Sequence, residues 1–197
     1  MGAIAEAHWL VVGLGNPGPA YAQTRHNVGF AVVDRLAGAG RVRFRPGRSH
    51  AERACLDLSG IPILLLKPQA FMNLSGPPVA DWLEKLGLSA ARLVVIHDDL
   101  DLPLGRLRIS ARAGPGGHRG VESIQTVLGT RVFPRVRVGI GRPRKGQQAA
   151  DRVLEVFAPE ELPVVEAVLE RAAEAVQTLI ADGLARAMNL YNVPVPA

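Results

Sequence analysis

The segment WLVVGLGNPGP, residues 9–19, joins a short apolar run to a loop rich in glycine and proline. The run from Trp9 to Val12, ended by Gly13, predicts a buried β-strand. In open α/β sheets, ligands bind beside the carboxyl ends of the strands, so the loop after this strand is a candidate site. Asn16 is the polar side chain that the loop presents there.

The same loop matches the pattern G-x-G-x-x-G, from Gly13 to Gly18, which marks dinucleotide-binding folds. That pattern requires a helix that begins inside the motif, so that the helix N-terminus faces the pyrophosphate. Here Pro17 and Pro19 bracket the last glycine, and the next predicted helix starts only near Asn27. A dinucleotide site is therefore disfavoured, and a tight loop without a ligand remains the alternative.

Outward from this strand, the apolar periodicity predicts alternating helices and strands. Apolar spacings of three and four, together with Pro and Gly at the ends, predict helices over residues 28–39, 77–86, 120–128, 159–180 and 184–190. Short apolar or alternating runs predict strands over residues 51–58, 61–67, 93–96, 106–110 and 135–140, with a loop or edge strand over 41–48. We predict an α/β fold: a single globular domain over residues 1–197, with a mixed twisted β-sheet flanked by helices.

Composition narrows the cellular setting. Cys55 is the only cysteine, so no intramolecular disulfide can form, and a reducing, cytoplasmic compartment is expected. No apolar stretch approaches the ~18–20 residues that a membrane span needs. Residues 1–8 have neither the basic start nor the long apolar run of a signal peptide. We therefore expect a soluble protein without a membrane partner.

The charge distribution indicates an anionic partner. The net charge is +5, and ten Lys or Arg residues face a single acid, Glu122, between Arg106 and Lys145. A basic stretch of this kind favours nucleic acid, although a set of solvated surface arginines is the alternative. Arg135 and Arg137 are two residues apart on a predicted strand, which predicts one basic face.

Two polar clusters are candidates for catalysis. His26 lies at a loop-to-helix boundary, where its ring can act as a general base near neutral pH; an ordinary surface or core histidine is the alternative. The segment HDDLD, residues 97–101, follows a predicted strand, and its acids can orient a histidine or bind a metal. We expect no metal, because the acids lack the spacing of a calcium loop and no Cys/His set supports zinc. A solvated turn is the alternative for this segment.

Two further segments carry weaker signals. In FMNLSG, residues 71–76, Asn73 precedes a predicted helix and suits a cap or turn, while Met72 suits the core. In GPGGHRG, residues 114–120, the glycines let the backbone approach a ligand and the polar side chains are His118 and Arg119. A mobile linker is the alternative for the second segment.

The order and the amino-acid sequences of these segments resemble those of the bacterial peptidyl-tRNA hydrolases. The matching blocks are GLGNPG with Tyr21 and TRHNVG (residues 13–29), KP and FMNLSG (67–76), HDDLDLP (97–103), GGH (116–118), GIGRP (139–143) and AMN (187–189). The resemblance extends from Trp9 to Asn192. It departs from the family at Arg119, where Asn is usual, and at Ser110, where a basic residue is frequent.

The resemblance implies a monomeric enzyme without metal or cofactor. It would hydrolyse the ester between a peptide, or an N-blocked amino acid, and the 3′-terminal ribose of tRNA, so the expected partner is peptidyl-tRNA. His26 would be the catalytic base and Asp98 its orienting partner. The residues expected to bind the peptide end are Asn16, Tyr21, Met72, Asn73, His118 and Arg119. The residues expected to bind tRNA phosphates are Arg108, Arg135, Arg137, Arg142 and Lys145. A non-catalytic RNA-binding relative is the rival, against which the intact His26 and Asp98 argue.

Overall fold

A seven-stranded sheet organises the computed structural model, which describes residues 7–193. Its strands are β1 (Trp9–Gly13), β2 (Arg45–Pro46), β3 (Ala51–Leu58), β4 (Ile61–Pro68), β5 (Leu93–Asp99), β6 (Leu107–Arg112) and β7 (Val132–Gly139). Their spatial order is β2-β3-β4-β1-β5-β7-β6. The central strands β4, β1, β5 and β7 run parallel, while β2, β3 and β6 pair antiparallel with their neighbours at the two edges. The predicted α/β fold with a mixed sheet is confirmed.

The described residues form six α-helices. They are α1 (Val28–Ala39), α2 (Gly76–Leu86), α3 (Arg119–Leu128), α4 (Ala149–Leu154), α5 (Leu162–Asp182) and α6 (Leu184–Tyr191). On one face, apolar side chains of α1 and α5 pack against the strands in one buried cluster. On the other face, α2 and α3 form a second cluster around Trp82 and Phe133. The core is therefore two apolar layers with the sheet between them.

The predicted elements differ from the observed ones in several places. The strand predicted over residues 93–96 continues to Asp99, so the acidic segment begins inside the sheet and its first three residues are buried. Residues 159–161 form a separate 3-10 turn before α5. Helix α4 was not predicted, because its six residues are too short for a repeating apolar pattern. The 41–48 segment contains only the two-residue edge strand β2.

Two glycines allow α1 to approach β1 closely. A Cβ atom on Gly13 would lie 2.2 Å from the carbonyl oxygen of Gly29, and one on Gly29 would lie 2.5 Å from the carbonyl oxygen of Ile96. Side chains at either position would push the helix away from the sheet. The turn that precedes α1 therefore lies directly beside the carboxyl ends of β1 and β5.

Some expectations extend to residues 1–6 and 194–197, which lie outside the described range. They include the absence of a signal peptide in residues 1–8 and the full 1–197 extent of the domain. Within residues 7–193, no helix is long and apolar enough to cross a membrane. Cys55 lies on β3 as a free, half-buried thiol.

Candidate active site

A cavity of about 560 Å³ opens beside the carboxyl ends of the central strands. Its polar lining comes from the loops after β1 and β4, from the end of β5 and from the start of α3: Asn16, His26, Asn73, His97, Asp98, Asp99, His118 and Arg119. One wall is apolar and belongs to α4, through Ala149, Ala150, Val153 and Leu154. Strands β1 and β5 are neighbours, and the chain continues from β1 to β2 at one edge of the sheet and from β5 to β6 at the other. Ligands bind at such a point in folds of this kind.

His26 and Asp98 meet inside this cavity. The Nδ1 atom of His26 lies 2.7 Å from Oδ1 of Asp98, and the Asp98 side chain is almost fully buried. Because an ionised carboxylate only accepts hydrogen bonds, His26 must donate through Nδ1. The Nε2 atom of a neutral His26 is then unprotonated, and it is the ring nitrogen that can take a proton from a ligand.

His118 is the second histidine on the same carboxylate. Its Nε2 atom lies 2.9 Å from Oδ1 of Asp98, and its Nδ1 atom accepts a hydrogen bond of 3.3 Å from the backbone N–H of Val121. The acceptor role of Nδ1 requires the proton to sit on Nε2, so the tautomer of His118 is determined by the N-terminus of α3. We call His26, Asp98 and His118 the Asp98 cluster.

The Asp98 cluster holds an ionised carboxylate in the protein interior. Burial alone would raise the pKa of Asp98, but the hydrogen bonds and charges of His118 and His26 hold it well below its usual range. The neighbouring His97 is also buried, and burial lowers its pKa well below the usual value, so its imidazole is neutral. Nδ1 of His97 donates to the Asp98 carbonyl at 2.7 Å. The Asp98 carboxylate is therefore ionised and accepts hydrogen bonds from both histidines of the cluster.

Arg25 anchors the segment that carries His26. Its backbone N–H donates to the Glu155 carbonyl at 2.9 Å, and its buried guanidinium pairs with Glu161 and stacks over the ring of Phe157 at 4.4 Å. Arg152 on α4 binds Glu155 at 2.9 Å and approaches Glu161 at 3.8 Å. These ion pairs connect the turn before α1 to the helix that forms the apolar cavity wall.

Asn16 is held in one amide orientation. Its Oδ1 atom accepts a hydrogen bond of 2.9 Å from the backbone N–H of Met72, while its backbone pairs with the side chain of Asn27 at 2.9 and 3.0 Å. The amide NH₂ group of Asn16 has no partner among residues 7–193 and can donate to a ligand. Asn73 is exposed at the cavity rim, while Met72 is buried beneath it.

The Asp98 cluster is also the group of side chains that best resembles a metal site. One ligand atom from each of its three residues lies within 4.8 Å of the others. A metal ion bound to His118 in this group would be held by its Nε2 atom. That atom carries the proton that is donated to Asp98, because Nδ1 accepts a hydrogen bond from the Val121 N–H. With these hydrogen bonds, Nε2 of His118 has no free lone pair for a metal ion.

The structure brings most of the predicted peptide-end residues together, with one exception. Tyr21 does not line the cavity; its carbonyl accepts the side-chain hydroxyl of Thr24 at 2.8 Å in the turn that follows the first loop. Arg119 lines the cavity, is exposed, and forms no ion pair with Glu122 or with another described residue. The sequence predicted no role for two features of the cavity, namely His97 and the apolar wall from α4. His97 was noticed only as part of an acidic segment.

Basic residues that reach the surface lie along β6, β7 and the loop after β7; Arg137 is half-buried and the others are exposed. Arg108 faces Arg137 across the β6–β7 pair, and Arg137 pairs with Asp99 at the cavity edge. The loop adds Arg142, which binds Asp101 at 3.0 Å, and the exposed Arg144 and Lys145. We call Arg108, Arg137, Arg142, Arg144 and Lys145 the basic strip.

The expectation that Arg135 belongs to an exposed basic face is wrong. Arg135 does share a strand face with Arg137, but it is 1% exposed. Its Nη1 atom donates to the carbonyl of Gly114 at 3.0 Å, beneath the glycine loop, which we define as residues 113–117. The contact between Arg135 and this loop, which lies 21 residues earlier in the chain, is a long-range property that alternation along one strand does not report.

Comparisons with known proteins agree with this geometry. Residues 10–196 match the family model described as peptidyl-tRNA hydrolase. The chain is 49% identical over 185 residues to a peptidyl-tRNA hydrolase of Chloroflexus aggregans, covering 93% of this chain and 98% of that one. It is 48% identical to one of Frankia casuarinae, covering 95% of each. The crystal structure of the Acinetobacter baumannii peptidyl-tRNA hydrolase superposes with a TM-score of 0.90 at 32% identity, over 96% of both chains.

Proposed function

Because this chain belongs to the peptidyl-tRNA hydrolase family and is an ester hydrolase, we propose that it cleaves peptidyl-tRNA with a water molecule activated by His26, without a metal ion. The observation that carries the proposal is the 2.7 Å contact between Nδ1 of His26 and Asp98. It leaves Nε2 of His26 as an unprotonated base inside the cavity. The Asp98 carboxylate would stabilise the imidazolium that forms during the reaction.

The reaction begins at the carbonyl carbon of the ester. Water attacks this carbon while Nε2 of His26 takes one of its protons, and the carbonyl oxygen becomes an oxyanion. The bond between the carbonyl carbon and the ribose oxygen then breaks. The imidazolium of His26 returns its proton to the ribose oxygen, so the products are the tRNA with a free ribose hydroxyl and the peptide acid. General-base catalysis of this type typically contributes ~10²–10⁴-fold.

Two asparagines suit the peptide end of the substrate. The free NH₂ group of Asn16 can donate to a carbonyl oxygen, because its Oδ1 atom is already bound to the Met72 N–H. Asn73 at the rim can both donate to and accept from a peptide backbone. Recognition through backbone groups would leave the peptide side chains unrestricted. A donor that binds the oxyanion would add ~10²–10³-fold.

The basic strip suits the tRNA. Arg108, Arg144 and Lys145 are exposed and have no acidic partner within residues 7–193, so their charges are available to phosphates. Within the strip, Arg137 makes the connection to the cavity, because it pairs with Asp99, which lines the cavity. Phosphate contacts along the strip would hold the tRNA body while its 3′ end enters the cavity.

The proposal is tested with two substrates, N-acetyl-aminoacyl-tRNA and the free aminoacyl-tRNA. Only the first has the additional carbonyl group that Asn16 and Asn73 would bind, so we expect the enzyme to cleave the first and spare the second. A parallel sample dialysed against EDTA should keep its rate. No cleavage of either substrate would contradict the activity. A rate that is lost in EDTA and restored by Zn²⁺ would contradict the metal-free mechanism.

A further inference from the structure

Arg135 is a buried cation that the proposed reaction does not use. It is 1% exposed, and no described acid lies within ion-pair distance of it. The nearby carboxylate of Asp99 is instead paired with Arg137. Burial and the neighbouring charge of Arg137 lower the pKa of Arg135 to about 10, which still leaves it charged at neutral pH. A buried charge without a counter-ion normally destabilises a fold.

The hydrogen bonds of Arg135 are also incomplete. Its Nε and Nη2 atoms are buried without a partner among the described residues, and only Nη1 is used, in the 3.0 Å bond to the Gly114 carbonyl. The ring of Phe133 lies 5.7 Å from the guanidinium carbon. A hydrophobic side chain of similar length would fit this position with less desolvation cost. The one specific contact that Arg135 makes is therefore to the glycine loop.

The glycine loop has few other contacts that determine its position. Atoms placed as Cβ on Gly114, Gly116 and Gly117 would meet nothing within 4 Å, and the last two glycines have φ angles of +60° and +78°. A second side chain, the buried Gln125 on α3, donates to the Ala113 carbonyl at 2.9 Å. Two side-chain donors thus hold the loop, one at each of its first two carbonyls.

The glycine loop leads directly into the active site. Pro115, Gly116 and Gly117 line the cavity, and the next residue is His118, whose N–H donates to the Pro115 carbonyl at 3.0 Å. His118 binds Asp98, and Arg119 follows at the cavity surface. A displacement of the loop would therefore move the cavity wall beside the Asp98 cluster.

We propose that Arg135 is a positioning residue, which holds the glycine loop through Gly114 and thereby sets the place of His118 and Arg119 in the cavity. The kinetic consequence rests on the proposed function, but the hold on the loop does not. Arg135 would then influence catalysis from beneath the loop rather than bind a tRNA phosphate.

The decisive variant is Arg135→Met, which removes the charge and the hydrogen bond but keeps a long side chain. Replacement of a buried charge by an apolar residue is often neutral or stabilising, so we expect an unchanged or higher Tm. We expect amide hydrogen exchange at residues 116–118 to become about tenfold faster, as the loss of one charge-assisted hydrogen bond implies. The kcat for N-acetyl-aminoacyl-tRNA should fall by about tenfold as well. Arg135→Lys, which keeps a donor, should recover much of both losses.

Arg131→Met is the matched control, because Arg131 is exposed just before the same strand. It should leave exchange and kcat at wild-type values. The proposal is overturned if stable Arg135→Met exchanges its loop amides at the wild-type rate, or if its kcat is unchanged. It is also overturned if Arg135→Met flattens the salt dependence of tRNA affinity, since Arg135 would then be a phosphate contact.

Two outcomes need a second measurement: a variant that does not fold and a wild-type protein that is inactive. If Arg135→Met does not fold, Arg135→Leu removes the same charge and hydrogen bond with another apolar side chain; wild-type exchange at residues 116–118 in that variant would overturn the proposal. If the wild-type protein hydrolyses neither tRNA substrate, the proposed function fails, and the exchange measurement still tests whether Arg135 holds the loop.

Discussion

The Asp98 cluster and the basic strip lie on neighbouring strands but differ in burial and in hydrogen bonding. In the cluster, Asp98 is buried and accepts from two histidines at 2.7 and 2.9 Å. In the strip, Arg142 and its partner Asp101 have side chains that are 76% and 62% exposed. A charge in the protein interior interacts strongly with its neighbours, whereas an exposed charge is screened by water and salt.

Because of this difference, substitutions in the two regions should have different kinetic effects. Proton transfer depends on one tautomer and one orientation of His26, so the cluster needs a fixed geometry. Phosphate binding depends on the number of available positive charges and tolerates small displacements. Changes in the cluster should therefore lower kcat, and changes in the strip should raise KM in a salt-dependent way.

The largest effect is expected when the cluster loses its charge. Asp98→Asn keeps the size of the side chain, but it cannot stabilise the imidazolium of His26, and it can select the wrong His26 tautomer. We expect kcat to fall by ~10²–10⁴-fold while tRNA affinity stays within a few-fold. Steady-state kinetics and a tRNA binding titration check this, with Asp57→Asn at the exposed end of β3 as the control. Unchanged kcat in a folded variant would remove Asp98 from the mechanism.

A smaller effect is expected for Arg119, which lies at the border between the two regions. It lines the cavity and has no acidic partner within the described part of the chain, so its guanidinium is free to bind the substrate. We expect Arg119→Ala to lose about tenfold in kcat/KM, or ~1.4 kcal/mol, and Arg119→Asn to recover much of that loss, since Asn also donates through a planar NH₂ group. If both variants match wild type at low and moderate salt, Arg119 makes no substrate contact.

Weaker still should be the effect of single changes in the basic strip. Arg137→Ala and Lys145→Ala should raise KM more than they lower kcat. Each lost phosphate contact should flatten the slope of log affinity against log salt by ~0.7–0.9. Arg43→Ala is the charge-matched control, because Arg43 is exposed beside β2 at the opposite edge of the sheet. Identical slopes in all variants would mean that the strip faces solvent and not tRNA.

The smallest effect concerns stability within the buried region. Burial lowers the pKa of His97, so the unfolded chain binds a proton below about pH 6.5 that the folded chain does not bind. The free energy of unfolding therefore has its full value above pH 6.5 and decreases as the pH falls below 6.5. His97→Asn keeps a donor for the Asp98 carbonyl without this titration. Urea denaturation should show the wild type losing ~1 kcal/mol more per pH unit below pH 6.5 than the variant. Parallel pH profiles would contradict a neutral, buried His97.

Local patterns predicted the elements of both regions better than their packing. The strand and loop at residues 9–18 and the helix at 28–39 follow from local composition, and the structure confirms them. Alternation correctly placed Arg135 and Arg137 on one strand face, but it could not report that only Arg135 is buried, with its guanidinium bound to the glycine loop. The short α4 and the role of His97 depend on long-range contacts in the same way. Tyr21 came from the resemblance alone, and the structure places it outside the cavity.

The most direct test of the separation between the two regions uses His26→Ala and Lys145→Ala side by side. Both variants, with wild type, are measured for the single-turnover cleavage rate at saturating enzyme and for the Kd of tRNA. We expect His26→Ala to lower the cleavage rate by ~10²-fold or more with a near-wild-type Kd. We expect Lys145→Ala to weaken tRNA binding in a salt-dependent way with a near-wild-type cleavage rate. A folded His26→Ala variant that cleaves at the wild-type rate would contradict the central claim that His26 activates the water.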